Sequence, residues 1–304
     1  MLSSLSKLFA RVISVDNLRT YAWASLVSQI LIVVTGGLVR LTGSGLGCPT
    51  WPKCTADSLT TVPEQGYHGL IEFGNRLLTF ALLVVAVLTI LAVFNRAVDR
   101  SLALRSPAVI LLAGIPAQAI LGGFTVLTKL NPWLVGAHFI LSAVMIVTAS
   151  VLVWRVYAPE PALVPARAYA LAPSVSIFGA ISVVIGVLVT GAGPHAGDAQ
   201  SIRNGLDLET WFHYHSYPAY VLLALIVVEI LYLIRADRNE NAQLVLSVPT
   251  KIALGLLVGT VIQAVIGVLQ ARLGVPAGLV AVHMLGASCL VSLVTFNHLA
   301  VRAK

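Results

Sequence analysis

Long apolar runs, broken by short polar or proline-containing stretches, dominate this chain. They cover about residues 20–41, 68–94, 107–128, 133–156, 170–192, 211–234, 249–271 and 277–301. Each is close to the roughly 20 residues that a helix needs to cross a bilayer core. Strands of a membrane barrel would be about half as long and would alternate lipid-facing with lumen-facing positions, which these continuous runs do not. The pattern predicts an all-α membrane protein with eight transmembrane helices. An even number of spans puts both termini on one side. Residues 1–19, ahead of the first run, read as a short lead-in with the character of an interfacial helix. A cleavable signal is not expected, because no small-residue cleavage site follows a short apolar core.

Composition sharpens this picture. Of 304 residues, 58% are hydrophobic and 10% charged, whereas ordinary domains carry roughly a quarter charged residues. Eight spans and their loops use nearly the whole length, so no large soluble catalytic domain fits. The net charge of +7 comes from 19 Lys and Arg against 12 Asp and Glu. In a membrane protein the place of those charges matters more than their sum. Lys7, Arg11, Arg19, Arg96, Arg100, Arg105, Arg155, Arg167, Arg235, Arg238, Lys251, Arg302 and Lys304 fall at one face; Arg40, Lys53, Arg76, Lys129, Arg203 and Arg272 fall at the other. The positive-inside rule predicts a multi-pass protein of the cell membrane with both termini cytoplasmic and the first long loop extracellular. The basic excess is a topology signal, and no nucleic-acid partner is expected.

An internal repeat divides the chain. "QAILGGFTVLTKLNPWLVGAH" from Gln118 aligns without a gap onto "QAVIGVLQARLGVPAGLVAVH" from Gln263, with six of 21 positions identical, including the Gln, one Gly and the closing His138 and His283. "TGSG" at Thr42–Gly45 similarly matches "TGAG" at Thr190–Gly193. The expected organisation is two pseudo-symmetric four-helix bundles in parallel orientation. They would occupy residues 20–157 and 170–304, joined by a cytoplasmic linker at 158–169.

Ionisable residues within spans are costly and point to function. His68, Glu72, His138, His215 and His283 all fall in the first turns of even-numbered spans, near the outer leaflet. Two neutral imidazoles from facing helices of a bundle are the usual ligand pair of a low-spin haem iron. The plainer alternative for each is an interfacial His bonded to water, a headgroup or a carbonyl. His213 lies two residues from His215 and points the other way; the deeper His215 is the candidate. His195 and His298 read as structural or solvated. In "HGLIEFGNRLLTF", His68, Glu72, Asn75 and Thr79 share one helical stripe, with Arg76 beside them. Glu72 either pairs with Arg76 or Arg40, or, if buried, exchanges protons. Arg40 and Arg76 also suit propionate carboxylates, which a guanidinium binds bidentately. Glu229, near the cytoplasmic end of its span, reads as snorkelling or paired. Cys48 and Cys54, in "CPTWPKC", lie where disulfides persist and form either a structural bridge or a redox-exchanging pair. Cys289 reads as a small packing residue inside a span.

The chain resembles the haem A synthase family of eight-helix membrane enzymes. The resemblance rests on "GGLVRLTGSGLGCPTWPKC", "IEFGNRLL", "LVGAHF", "GPHAGD" and "LVAVHM", spread from about Val34 to the last span. It implies oxidation of a ring methyl of haem O to a formyl group by successive hydroxylation, giving haem A for cytochrome oxidase. It implies haem b held by His215 and His283 in the C-terminal half. The substrate haem would lie in the N-terminal half, with His138 as iron ligand, Glu72 as catalytic acid, and His68, Asn75, Arg40 and Arg76 around it. The external pair Cys48 and Cys54 is linked in such proteins to activity or redox exchange. The enzyme that makes haem O and a membrane electron donor or acceptor are the implied partners, and the sequence leaves a homo-oligomer open.

Two departures from the family pattern stand out. Many members read Glu-x-x-His-Arg in the second span, where this chain has Glu72, Asn75 and Arg76. Either His68 takes over as second axial ligand, or the substrate haem is five-coordinate through His138. Some members also carry a second Cys pair between the fifth and sixth spans; this chain has none. Two rival functions share the pattern. A bis-His haem b electron carrier of the quinol oxidoreductase kind explains the histidines but not the Glu72 stripe. A transporter fits the repeat but not the scarcity of polar residues at mid-span.

Overall fold

The computed structural model describes residues 12, 14–95, 97–238 and 244–302. Most of the lead-in (1–11 and 13), together with Lys7, Arg11, Arg96 and Lys304 of the charge pattern, lies outside the described residues. Among the described residues the fold is all-helical, and eight helices are long and apolar enough to cross a membrane. They are α1 (Leu18–Leu41), α2 (Gly66–Val93), α3 (Arg105–Leu127), α4 (Pro132–Tyr157), α5 (Ala166–Ala192), α6 (Leu208–Ala236), α7 (Val248–Arg272) and α8 (Ala277–Arg302).

The expected spans agree with these helices to within a few residues, and the differences have local causes. The α6 helix starts three residues early because the Asp207 side chain accepts from the Thr210 amide, satisfying one of the free donors of the first turn. Asn131 caps α4 in the same way through Trp133, with Pro132 at the first helical position. The 158–169 linker is shorter than expected. Extended Pro165 ends it and α5 begins at Ala166, since proline tolerates a helix start but not its interior ladder.

The helices form two rings of neighbours. In the first, α1 packs on α2 and α4, and α3 on α2 and α4; in the second, α5 packs on α6 and α8, and α7 on α6 and α8. The rings meet where α8 lies against α1 and α4, and where α4 touches α5. At this seam Gly37 of α1 leaves the space that the thioether end of Met284 fills, the kind of small-residue contact that lets membrane helices approach. The outward faces carry large apolar side chains such as Leu31, Phe80, Phe124, Val258 and Leu285, as lipid contact demands. Cys289 is exposed on such a face rather than packed in the interior, because its helix turns Ser288 and Ser292 inward instead.

Each ring has its packed core at the end where α1 begins and α8 ends. In the first, Ala22, Leu26, Val93, Leu111, Ile146 and Leu152 close the interior; in the second, Ala172, Ile226, Leu233, Leu256 and Val301 do. Basic residues at this end lie over aromatic rings: Arg19 on Tyr157, Arg105 on Phe94, Arg167 on Tyr232 and Arg302 on Tyr169, at 4.3–5.6 Å. Glu229 does not snorkel. Its side chain is fully buried and accepts from Asn297 Nδ2 of α8 at 2.7 Å.

Replacing Asn297 with Leu removes that donor and strands a buried carboxyl, which costs about 1–3 kcal/mol. The variant is expected to melt at lower temperature in detergent, and Glu229→Met in the same chain to recover most of the loss. Equal melting of the single variant and the parent would show that the pair does not stabilise the fold.

Candidate functional site

At the end opposite the packed cores, both rings open around imidazoles. In the second ring, His215 near the start of α6 and His283 near the start of α8 face one another, with ring centroids 6.4 Å apart and planes at 73°. Two imidazoles on opposite sides of one metal ion, each at the ~2.0–2.1 Å typical of a metal–imidazole bond, place their centroids about 6 Å apart. The neighbouring helices leave room for the rings. A Cβ built on Gly186 of α5 comes within 2.9 Å of His215 Cε1, and one on Gly267 of α7 within 3.4 Å of His283 Cε1. Gln263 Nε2 of α7 donates to the His283 carbonyl at 2.8 Å and ties the two helices together. Nδ1 of both rings is buried without a hydrogen-bond partner, a costly state for a polar atom unless a ligand or water completes it. His213 is exposed on the other side of α6.

No group of three or more His, Cys, Asp or Glu able to hold a metal ion occurs among the described residues. A tetrahedral zinc ion takes three or four such ligands, so two facing imidazoles alone do not make a zinc site. They do suit an iron that brings its own equatorial nitrogens, and the pair therefore fits a haem.

The first ring repeats much of this arrangement. His138 of α4 lies over Gly122 of α3, where a built Cβ comes within 3.2 Å of the ring, and its Nδ1 is likewise buried without a partner. Gln118 Nε2 donates to Ser142 Oγ at 2.8 Å and to the His138 carbonyl at 3.4 Å. The Gln, Gly and His shared by the aligned segments thus form one structural unit in each half: the Gln ties adjacent helices and the Gly makes space for the ring. The identity of these residues was visible in the repeat, but their roles were not, because they depend on which helix lies alongside. Gly36 and Gly186, each under a site side chain from the next helix, went unmarked for the same reason.

Glu72 is buried and fully engaged. Its Oε1 accepts from Arg76 Nη2 at 2.6 Å, one helical turn on, and its Oε2 accepts from the backbone N–H of Cys48. Arg76 Nη2 also donates to the carbonyls of Cys48 and Thr50, at 3.0 and 3.1 Å. Cys48 and Cys54 form a disulfide with both residues fully buried, and the Trp51 indole between them rests on Gly123 of α3. The bridged loop is therefore a plug over the first ring, held by the same carboxylate and guanidinium that the sequence singles out. His68 bonds elsewhere. Its Nδ1 is 2.9 Å from Ser44 Oγ, Tyr67 stacks on it at 4.0 Å, and it lines an outer cleft of about 440 Å³ with first-loop residues and Asp198.

Arg40 joins the loops rather than standing free. It donates to the carbonyls of His195 and Thr190, while His195 Nε2 lies 2.8 Å from the Val275 carbonyl and the Gly45 amide donates to Gly197. His298 is structural too, 2.9 Å from Ser176 Oγ.

Fold and site together define a polytopic membrane protein that builds imidazole sites between helices at one membrane boundary. The profile of the COX15-CtaA family, described as cytochrome oxidase assembly protein, matches residues 19–295. This chain belongs to that family. It is 31% identical over 123 residues to a heme A synthase of Geobacillus thermodenitrificans, covering 40% of this chain and 37% of that one. It is 29% identical over 187 residues to a heme A synthase of Alkalihalophilus pseudofirmus, covering 58% and 59%. A stretch of 80 residues, 26% of this chain, is 38% identical to 12% of a protoheme IX farnesyltransferase of Thermus thermophilus. The chain thus spans well under two thirds of the length of the curated relatives it matches.

Because Arg76 holds both Glu72 and the loop carbonyls, Arg76→Met is expected to loosen the plug. After mild reductant, maleimide should label Cys48 and Cys54 several-fold faster than in the parent protein. Unchanged labelling would mean that the loop is held without this guanidinium.

Proposed function

We propose that this chain is a haem A synthase, an oxidoreductase that oxidises a ring methyl of haem O to a formyl group and so supplies haem A for cytochrome oxidase. The observation that carries the proposal is Glu72, buried with both oxygens held by Arg76 and the Cys48 amide in the half that also carries His138, which an electron carrier does not need; the His215–His283 pair fits the haem. Membership of the family and the names of its relatives point the same way. The two halves act as related four-helix units with different tasks. His215 and His283 hold haem b in the C-terminal unit, seated by Gly186 and Gly267. Haem b, when bound, supplies one-electron transfer at that site. The N-terminal unit takes haem O, with His138 as its iron ligand, and the farnesyl tail leaves sideways into lipid.

In the N-terminal unit the chain itself positions a proton-handling carboxylate. Arg76 and the Cys48 amide fix both oxygens of Glu72 beneath the disulfide plug. A carboxylate so placed, away from water, accepts or returns a proton at a fixed atom while the plug excludes solvent. Arg40 and Arg76 keep positive charge at the outer boundary, where the propionates of a haem would lie. The distribution of basic residues puts both termini in the cytoplasm and the Cys48–Cys54 loop outside the cell membrane. The lipophilic substrate makes the enzyme that produces haem O the natural partner.

The test is to co-express the chain with a source of haem O in a host lacking haem A, then extract and chromatograph the haems. Haem A or its hydroxylated intermediate is expected; unmodified haem O alongside bound haem b would instead establish an electron carrier. Glu72→Gln should retain haem b and lose haem A by a factor of about 100 or more, the usual range for removing a general acid–base. His215→Ala or His283→Ala should abolish the low-spin haem spectrum, and a spectrum unchanged in either would remove that residue from the ligand pair.

A further inference from the structure

The two halves differ in the side chain that lies over one matched glycine. In the second half, the side chain over the α5 glycine, Gly186, is the imidazole of His215. In the first half, the residue over the α1 glycine, Gly36, is Asn75 of α2, whose Nδ2 lies 3.8 Å from a Cβ built there. The two glycines stand at matching places in "VVTGGLV" and "VVIGVLV", which start at Val33 and Val183; the first half has two further residues, Arg40 and Leu41, before the "TGSG" that matches "TGAG". The opposite side of each site is the same in both halves: His138 on Gly122 with Gln118, His283 on Gly267 with Gln263. Asn75 therefore takes the place that His215 takes, and the carboxamide stands where the second imidazole would be.

That exchange alters what the site can do to an iron. Imidazole is a good iron ligand, while an amide oxygen prefers hard ions such as calcium and magnesium. The Asn side chain is also shorter, and the built Cβ on Gly36 stands further from it than the one on Gly186 stands from the His215 ring. Asn75 Oδ1 is buried and has no hydrogen-bond partner. His68 does not fill the gap. It lies two turns toward the outer surface from Asn75, is bonded to Ser44, and lines the outer cleft.

We infer that the first half is an open haem site: His138 is its one protein ligand to iron, and Asn75, where the second imidazole would stand, leaves the opposite position free for a small exogenous ligand. This inference rests on the proposal that the first half receives haem O. The protein would then pair a closed electron carrier with an open centre, and the exchange of His215 for Asn75 at matched places sets them apart as iron sites.

The experiment uses the full chain, purified in detergent after co-expression with a haem O source, then reduced and titrated with carbon monoxide. The parent protein should show a haem that ignores carbon monoxide and a second that binds it. His138→Ala should remove the second alone. Asn75→His should supply the missing ligand, turning the second haem low-spin and weakening carbon monoxide binding at least tenfold with the haem content unchanged. A second haem that depends on His138 yet is low-spin and inert to carbon monoxide in the parent would overturn the inference. So would undiminished carbon monoxide binding in an Asn75→His protein that retains both haems. Should Asn75→His lose its second haem, Asn75→Met serves in its place: its thioether, itself a haem-iron ligand, should weaken carbon monoxide binding at the second haem, and undiminished binding in a protein that retains both haems would overturn the inference. If His138→Ala retains both haems, the error lies in placing a haem on His138, a failure of the functional proposal itself.

Discussion

A segment that crosses lipid must satisfy its backbone hydrogen bonds internally, and the rest of this protein follows from that. All eight spans are helices, no loop can enter the hydrocarbon to build a site, and chemistry is left to side chains that meet between helices. Helix association gains little from burying apolar surface when the surrounding solvent is itself apolar. Small residues and interhelical hydrogen bonds take over that role here. Gly37 admits Met284 at the seam between the rings, and Ser25 and Thr89 meet at 3.1 Å between α1 and α2.

The same constraint explains why each ring is divided lengthwise. One end is filled by interlocking Leu, Ile, Val and Ala; the other is held apart by rings seated on glycine. A site open at both ends would leave the helices without contacts to fix their spacing. The packed end sets the distance between α6 and α8, and the open end uses it to hold two imidazoles 6.4 Å apart. Gln118 and Gln263 reinforce the arrangement by bonding to the carbonyl of the very histidine whose ring faces the site. In each half the histidine's backbone is thus anchored independently of its ring.

Outside the hydrocarbon, loop backbone is restrained by arginines. Arg40 reaches across to the second half, and Arg76 gathers Glu72 and the disulfide loop into one network. A guanidinium has five donors in a fixed fork, so one side chain can satisfy several loop carbonyls that face neither water nor a helix. This makes the two outer arginines part of the architecture of the site, beyond any attraction they exert on a carboxylated ligand.

Much of this was legible in the chain itself. Hydropathy alone determined the eight helices and nearly all their ends, since twenty consecutive apolar residues have few other stable fates. The internal repeat singled out Gln118, His138, Gln263 and His283, and the rarity of charge left Glu72 and Arg76 conspicuous. Periodicity could not say that Glu229 turns inward to Asn297, that His68 turns out to Ser44, or that Cys289 faces outward. Nor could it reveal that Gly36 and Gly186 lie beneath equivalent side chains, which is what makes Asn75 the counterpart of His215. Those facts depend on which helix faces which, at what depth and in what rotation. In a chain apolar on every side the hydrophobic pattern carries almost no information about rotation, and only the packing of one helix on the next decides it.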